Sequence, residues 1–372
     1  MRIAIVADWL PVFAGAEHSI AEWTAVWPQA PIFTTVARKR NIGPLGQKDI
    51  HTSRLQKWFR LLRRHEVLLP AMPRAVEDID LRGFDVILSS SHAVGKGIIP
   101  PANAVHVCYC HTPMRYAWEM EDPYLDDFRV PQFLRPLIRR QLKKLRRWDL
   151  STAKRVDVFL SNSTETQERI MRTYARESTV IPPPVSDRFL AEAIVPMEER
   201  EAYLAVGRLV PYKRFDLLIQ LSNETHLPLT IIGTGQEEKR LREMAGPQVH
   251  FQGFVPDEAL PKFYASAKAL LFPQHEDAGI VPLEAQACGT PVIAYQRGGV
   301  RDTVKEGETG IFFAEQTVAS LEEAIKRFDT LSFDPTAIRE HAQTFSSASF
   351  RQRMQEEVER AYERFCIRNE AE

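Results

Sequence analysis

Residues 203–221 read YLAVGRLVPYKRFDLLIQL. Tyr203 to Val206 form a short apolar run closed by Gly207, the pattern of a strand buried on both faces, and after Pro211-Tyr212-Lys213 the apolar residues move to helical spacing. Strand, glycine loop, helix is the unit of a parallel sheet, because parallel neighbours need a long crossover. The alternation continues downstream, with strand candidates at 229–232, 249–251, 269–272 and 292–294 and helix candidates near 213–221, 236–245, 257–266 and 282–288. Upstream, a strand candidate at 179–181 runs into Pro182, Pro183 and Pro184, which continue neither a helix nor a central strand.

That triple proline predicts a boundary, with one α/β domain over 1–184 and a second over 185–346. The first opens on the strand pattern of MRIAIVADWL, then Gly15 introduces a helical stretch whose Ile20, Trp23 and Trp27 share a face. Further strand candidates lie at 32–36, 84–89, 105–109 and 156–160. No direct repeat links the halves, so their likeness is architectural. In the tail, 347–372, Phe350, Met354, Val358, Tyr362 and Phe365 recur every three or four residues. They predict a long amphipathic helix, able either to close the second core or to pack across both domains.

The 372 residues carry 48 basic and 49 acidic side chains, a net charge of -1 that argues against a uniformly cationic nucleic-acid binder. The balance is uneven along the chain: residues 1–185 hold 27 basic against 19 acidic, and the remainder 21 against 30. Four cysteines without close paired spacing fit packed thiols in a reducing cytoplasm better than a disulfide framework or zinc module. No run of about 18 apolar residues occurs and the N-terminus runs straight into a strand, so membrane contact is expected to be peripheral.

Strand ends of open α/β sheets carry ligands, which directs attention to a few loops. After the strand at 203–206, Arg208 and Lys213 offer two cations for one diphosphate; the alternative is a solvated helix entrance pairing with Asp216. Gly233-Thr234-Gly235 locates a strand-to-helix turn, and Gly253, Phe254 and Val255 end the next strand with backbone groups for a base. Glu276-Asp277-Ala278-Gly279-Ile280 is a loop and Glu284 lies on the helix after it. Two carboxylates accept from sugar and ribose hydroxyls, while the amides of Ala278, Gly279 and Ile280 donate; an ordinary acidic turn is the alternative. In the first half, Gly15 sits at a helix start where an anion can approach the backbone. His111 ends the strand at 105–109 and could orient a sugar hydroxyl or phosphate. His92 is a further rim candidate, although satisfying loop polar groups is the simpler role. Met114, Tyr116 and Trp118 are acceptor-wall candidates for which ordinary packing is the simpler reading. Asp78-Ile79-Asp80 precedes a strand instead of ending one and reads as solvated carboxylates, leaving no metal site.

Together these segments resemble the retaining glycosyltransferases of family 4, which have the GT-B fold of two Rossmann-like domains facing a central cleft, and among them the bacterial surface-polysaccharide mannosyltransferase-like group. The resemblance covers nearly the whole chain. Gly207-Arg208-Leu209-Val210-Pro211-Tyr212-Lys213-Arg214 resembles the donor-diphosphate segment, implying phosphate roles for Arg208 and Lys213. Glu276 and Glu284 resemble the family's glutamate pair, the first on the donor sugar and the second on the ribose. Ala278 departs from the phenylalanine common there, which implies a wider pocket. Gly15 resembles the glycine loop facing the phosphates, and Tyr109 to Tyr116 the histidine segment, implying that His111 contacts the donor sugar. The resemblance further implies retention of configuration without a metal or cofactor, with GDP-mannose as first-choice donor; GDP-rhamnose and UDP-hexoses stay open. It implies a lipid-linked oligosaccharide acceptor and work at the inner face of the cytoplasmic membrane.

Two surface stretches suit contact with an anionic bilayer. One is Leu134 to Trp148, where Leu134, Ile138, Leu142 and Leu145 form a seam flanked by Arg and Lys; the other sets Trp58, Phe59, Leu61 and Leu62 among Lys57, Arg60, Arg63 and Arg64. Inward packing of the seam is the competing expectation. A nucleotide-sugar epimerase or a noncatalytic sugar-binding protein remains an alternative function, and the glutamate pair favours transfer.

Overall fold

The computed structural model describes residues 1–118 and 131–371, without the side chains of Tyr116, Leu134 and Ala371. The chain divides into two compact units, Met1–Ile181 with Phe350–Glu372, and Pro182–Ser349. The division falls at the triple proline.

The first unit carries seven parallel strands: β1 (Ile3–Ala7), β2 (Ile32–Thr34), β3 (Ile50–Thr52), β4 (Val86–Ser91), β5 (Val105–Cys110), β6 (Val158–Ser161) and β7 (Ser178–Val180). Their order is β3-β2-β1-β4-β5-β6-β7. Successive residues point to opposite faces, so β1 feeds two cores. Ile3, Ile5 and Ala7 pack with Val86, Leu88, Val107 and Tyr109 on one side, and Ala4 and Val6 with Ile87 on the other. The helix Ser347–Ala371 covers the first of these with Phe350, Met354, Val358, Ala361 and Phe365, so the C-terminal tail completes the N-terminal unit.

The other face takes the helix Arg135–Thr152 through Leu142 and Leu145. This corrects the membrane reading of that seam: Leu142 and Leu145 are buried and Ile138 partly so, because their helix covers an otherwise open sheet face. Leu134, the seam's first member, has its side chain outside the described residues.

The second unit has six parallel strands: β8 (Tyr203–Val206), β9 (Leu229–Ile232), β10 (Val249–Gly253), β11 (Leu270–Phe272), β12 (Val292–Tyr295) and β13 (Gly310–Phe313). Their order is β10-β9-β8-β11-β12-β13. Tyr203 and Ala205 join one core with Leu229 and Ile231, whereas Leu204 joins the other with Ile232, Leu270 and Phe272.

In each sheet the strand order reverses at one point, between β1 and β4 and between β8 and β11. Connections leave such a junction in opposite directions and open a crevice at the carboxyl ends of the strands. Ala7 pairs with Ser90 and Ser91 with Cys110, so Asp8, His92 and His111 emerge side by side. Leu204 pairs with Leu270, which brings out the segments after Val206 and Phe272 together.

Candidate active site

At the second unit's reversal the loop after β8 makes a short 3-10 turn, Pro211–Lys213, that turns Lys213 inward. Its ammonium lies 2.7 Å from Glu276 Oε1, with side-chain exposures of 9% and 20%. Arg208 is exposed, and no carboxylate among the described residues pairs with it. The Asp216 carboxylate is taken by Arg214 at 3.2 Å, which leaves Arg208 and Lys213 to other work.

Glu276 is held by its own backbone. Its carbonyl accepts from Gly299 N–H at 3.0 Å and it bridges to Gly298. Gly298 has φ +82°, and a Cβ there would strike that carbonyl, so the close approach requires glycine. Gly279, at φ +69°, turns the loop into the helix Ile280–Ala287. Buried beside Ala278 and Ile280, it starts the helix whose second turn carries Glu284. Glu284 Oε2 accepts from the Tyr264 hydroxyl at 2.8 Å. Burial pushes the Glu284 carboxyl up to about 7, with Tyr264, Arg188 and Lys213 pulling it down and Asp257 pushing it up. It therefore changes charge near neutrality. Gly253 has φ +69° and open space around it, next to exposed Phe254 and half-buried Val255.

The first unit's reversal is organised by Asp8, immediately after β1. Its buried carboxylate accepts from the N–H of His92 at 2.7 Å, Ala93 at 3.1 Å and Gly95, and from Ser91 Oγ at 3.3 Å. His92 Nδ1 lies 2.9 Å away. Burial alone would raise the Asp8 carboxyl, but the His92 imidazolium and these donors hold it down at about 2. His92 is correspondingly raised, the charges of Asp8 and Glu17 outweighing its burial. His111 is the opposite case. Burial, with His92 beside it, lowers it to about 3, so it is a neutral imidazole whose Nε2 pairs with Ser90 Oγ at 2.8 Å. Gly15 is the first residue of the helix Gly15–Val26, and the Ala14 N–H is capped by Glu17 at 3.0 Å.

Two family models match consecutive stretches of the chain: Glycosyltransferase Family 4 over residues 13–189 and Glycosyl transferases group 1 over residues 187–345. The chain belongs to glycosyltransferase family 4. A D-inositol 3-phosphate glycosyltransferase of Geodermatophilus obscurus is 29% identical over 225 residues, 51% of this chain and 49% of that protein. A GDP-mannose-dependent alpha-(1-6)-phosphatidylinositol monomannoside mannosyltransferase of Mycolicibacterium smegmatis is 32% identical over 183 residues, 41% and 48% of the respective chains. The chain thus spans about half the length of these curated relatives. The crystal structure of Anabaena HepE in complex with UDP has a TM-score of 0.70 at 15% identity, covering 96% of this chain and 100% of that one. The fold is GT-B.

In this family 4 chain, the segments bearing Arg208, Gly253, Glu276 and His111 lie at or just after strand ends, whereas Gly15 and Glu284 lie on the helices after them. Lys213, Glu276 and Glu284 come together in the second unit with Gly279 between the two glutamates, while Gly15 and His111 belong to the first. Two residues of these sites, Asp8 and Tyr264, are absent from the sequence reading, and a third, His92, enters it only in part. Asp8 carries a local signal, a carboxylate directly after five apolar strand residues. His92 was weighed only as a rim residue, and its pairing with Asp8 is visible only once β1 and β4 are neighbours. Tyr264 gives no local signal, since Glu284 lies 20 positions away. Lys96, close to His92 in sequence, turns into the interior and pairs with buried Asp149, which also accepts from Tyr174 Oη at 2.8 Å and Trp118 Nε1 at 2.7 Å. Met114 is buried and Trp118 is tied to Asp149, so both pack inside the first unit; the side chain of Tyr116 lies outside the described residues. Asp80 is exposed and bound by Arg82 at 2.6 Å, and the thiols of Cys108, Cys110 and Cys288 are buried.

Proposed function

We propose that the protein is a retaining hexosyltransferase that moves a sugar, mannose from GDP-mannose as first choice, onto a lipid-linked glycan acceptor in bacterial polysaccharide assembly. The observation that carries this reading is the Lys213–Glu276 ion pair at the β8/β11 reversal, with Glu284 one helical segment further on. An ammonium of this kind is bound by its own carboxylate until an anionic ligand competes for it. Lys213 and Arg208 then stabilise the negative charge that grows on the departing nucleoside diphosphate, and the roles need no metal ion. Glu276 accepts from hydroxyls of the transferred sugar, Glu284 from the ribose, and the amides of Ala278, Gly279 and Ile280 donate to the other ends. Gly253, Phe254 and Val255 receive the base. Gly15 gives backbone access to the phosphates and His111 a neutral polar contact to the sugar; being uncharged and tied to Ser90, His111 serves orientation and not proton transfer. The acceptor hydroxyl attacks on the face the nucleotide leaves, and its proton passes to the leaving phosphate.

The relatives support this choice to different degrees. The name of the Mycolicibacterium relative specifies GDP-mannose and phosphatidylinositol monomannoside, and HepE was crystallised with UDP, so guanosine and uridine donors are both to be assayed. Among the described residues no helix is long and apolar enough to cross a membrane. A peripheral contact at the inner face of the cytoplasmic membrane is supported by the helix Gln56–Leu62, where Trp58, Leu61 and Leu62 are exposed beside Lys57, Arg60, Arg63 and Arg64. The deciding experiment incubates a panel of sugar nucleotides with lipid-linked acceptors and resolves products by mass spectrometry and anomeric NMR. Donor-dependent product with retained configuration is expected; a sugar isomer without glycosylated product would put an epimerase in its place.

A further inference from the structure

The first unit contains an open pocket of about 890 Å³ whose walls carry Arg38, Lys39, Arg40, Arg60 and Arg63 and no carboxylate. Surface cations of this protein are commonly matched: Arg82 with Asp80, Arg155 with Glu77, Arg242 with Glu238, Arg327 with Glu306. None of the five pocket cations has a carboxylate partner among the described residues. Five like charges around one concavity repel one another and attract a counter-anion.

The pocket is held in shape before any ligand arrives. Ala37 N–H donates to Gln56 Oε1 and Gln56 Nε2 donates to Ala37 O, both at 2.8 Å, which clamps the wall after β2 to the helix Gln56–Leu62. The Arg38 guanidinium lies over the Phe59 ring at 5.4 Å and donates to Arg63 O at 3.3 Å. Arg63 itself ends that helix at φ +58°, a left-handed conformation uncommon for arginine. The wall is also tied to the end of β1, since Arg38 N–H donates to Leu10 O at 2.8 Å. It therefore stands two residues from Asp8, at the carboxyl edge of the sheet where His92 emerges.

We propose that this pocket is a polyanion site for a phosphate-bearing group of the acceptor with the charge of a diphosphate, the open volume leaving room for what the phosphates are attached to. Four of the five cations are arginines, whose planar forks match phosphate oxygens two at a time. A monocarboxylate would leave most of them unmatched. The assignment to the acceptor rests on the transferase reading above; the binding of a polyanion does not. Two sources share this chemistry, a phosphorylated glycan carrier free in solution and phosphate headgroups at a bilayer.

The test measures binding without turnover. Inorganic diphosphate is titrated calorimetrically into R208Q/K213Q protein, which removes the second unit's diphosphate candidates. One saturable site is expected, weakened by salt. Adding Arg40→Gln and Arg60→Gln, both at exposed positions, is expected to weaken it at least about tenfold, the loss of one charge-assisted bond at the low end of the usual strength. The R40K/R60K version keeps the charge but not the planar forks and is expected to bind between the parent and R40Q/R60Q, a graded order that a merely structural role would not predict. Flotation with vesicles of phosphatidylglycerol and phosphatidylcholine, against phosphatidylcholine alone, separates the sources. Binding that falls with R40Q/R60Q and is competed by diphosphate assigns the headgroup; vesicle binding indifferent to these changes, with diphosphate affinity still lost, assigns the soluble carrier. No diphosphate binding, or equal affinity in R40Q/R60Q, overturns the proposal whatever the transferase assays give.

Discussion

Replacing Tyr264 with Phe isolates one hydrogen bond and moves the titration of Glu284, the carboxylate proposed to hold the donor's ribose. The Tyr264 hydroxyl donates to Glu284 Oε2 at 2.8 Å from a wholly buried ring, so the change removes an oxygen without opening a sizeable hole. A hydrogen bond to a charged group contributes roughly 1.5–3 kcal/mol, and one pKa unit corresponds to about 1.4 kcal/mol, so its loss raises the carboxyl by at least about one unit. Glu284 then moves from about 7 in the parent toward about 8 in Y264F. If the ribose is bound by the carboxylate, the ionised fraction at pH 7 drops from about one half to about one tenth, and donor affinity falls about fivefold. By pH 9 both proteins are ionised and the difference closes.

The assay is calorimetric titration with the nucleotide sugar that turns over best, from pH 5.5 to 9. A nucleotide sugar is preferable to a nucleoside diphosphate because its bridging diphosphate stays fully charged over that range. The midpoint should lie near 7 in the parent and about one unit higher in Y264F. Stability runs in the opposite direction, which separates the two effects. The folded carboxyl is raised from 4.5 to about 7, so stability is greatest below the unfolded value and falls by about 3 kcal/mol as pH rises through the folded one. Folded Y264F protein with the parent's midpoint, or parent affinity that is flat from pH 5.5 to 9, would refute the role of Glu284 as an ionised ribose acceptor.

Two further substitutions address the other charged pairs. Lys213→Met removes the buried partner of Glu276, and loss of one aligned transition-state donor of this kind costs roughly 2.7–4 kcal/mol, or 100- to 1,000-fold in kcat; a variant of normal circular dichroism with parent-like kcat/KM would show that Lys213 does not meet the leaving group. Asp8→Asn should destabilise the first unit by about 2 kcal/mol at neutral pH, since its carboxyl is held at about 2 when folded against 3.8 otherwise, a contribution lost only as pH falls through that interval. His92 is raised when folded, so its share of the pair is present below 6.5 and lost as pH rises through its folded value. Urea unfolding should therefore show a larger gap between parent and D8N at pH 6 than at pH 9, and an equal gap would place the role of Asp8 in its backbone contacts alone.

The parallel α/β character of both halves and the boundary between them were legible because they rest on local patterns. Apolar runs of four or five residues closed by Gly, and three prolines in succession, carry their meaning within a few positions. The strands Ile50–Thr52 and Gly310–Phe313 were not legible: each is short and lies at the edge of its sheet, where only one neighbour supports it. The loops bearing Arg208, Lys213, Glu276 and Glu284 were also readable, since a polar group directly after an apolar strand is a local signal.

Pairing was decided elsewhere. Lys213 reaches Glu276 and not Asp216 because strand order sets β8 beside β11, and Asp8 holds His92 because β1 lies beside β4. Periodicity establishes that the helices Arg135–Thr152 and Ser347–Ala371 have an apolar face, but both a sheet and a bilayer satisfy such a face. Which one does depends on what the rest of the chain leaves uncovered, and here the two open faces of the first sheet take both helices. The cationic pocket has the same origin: Arg38, Lys39 and Arg40 stand some twenty residues before Arg60 and Arg63, and tertiary contacts, the clamp between Ala37 and Gln56 and the bond from Arg38 to Arg63 O, gather their charges around one space.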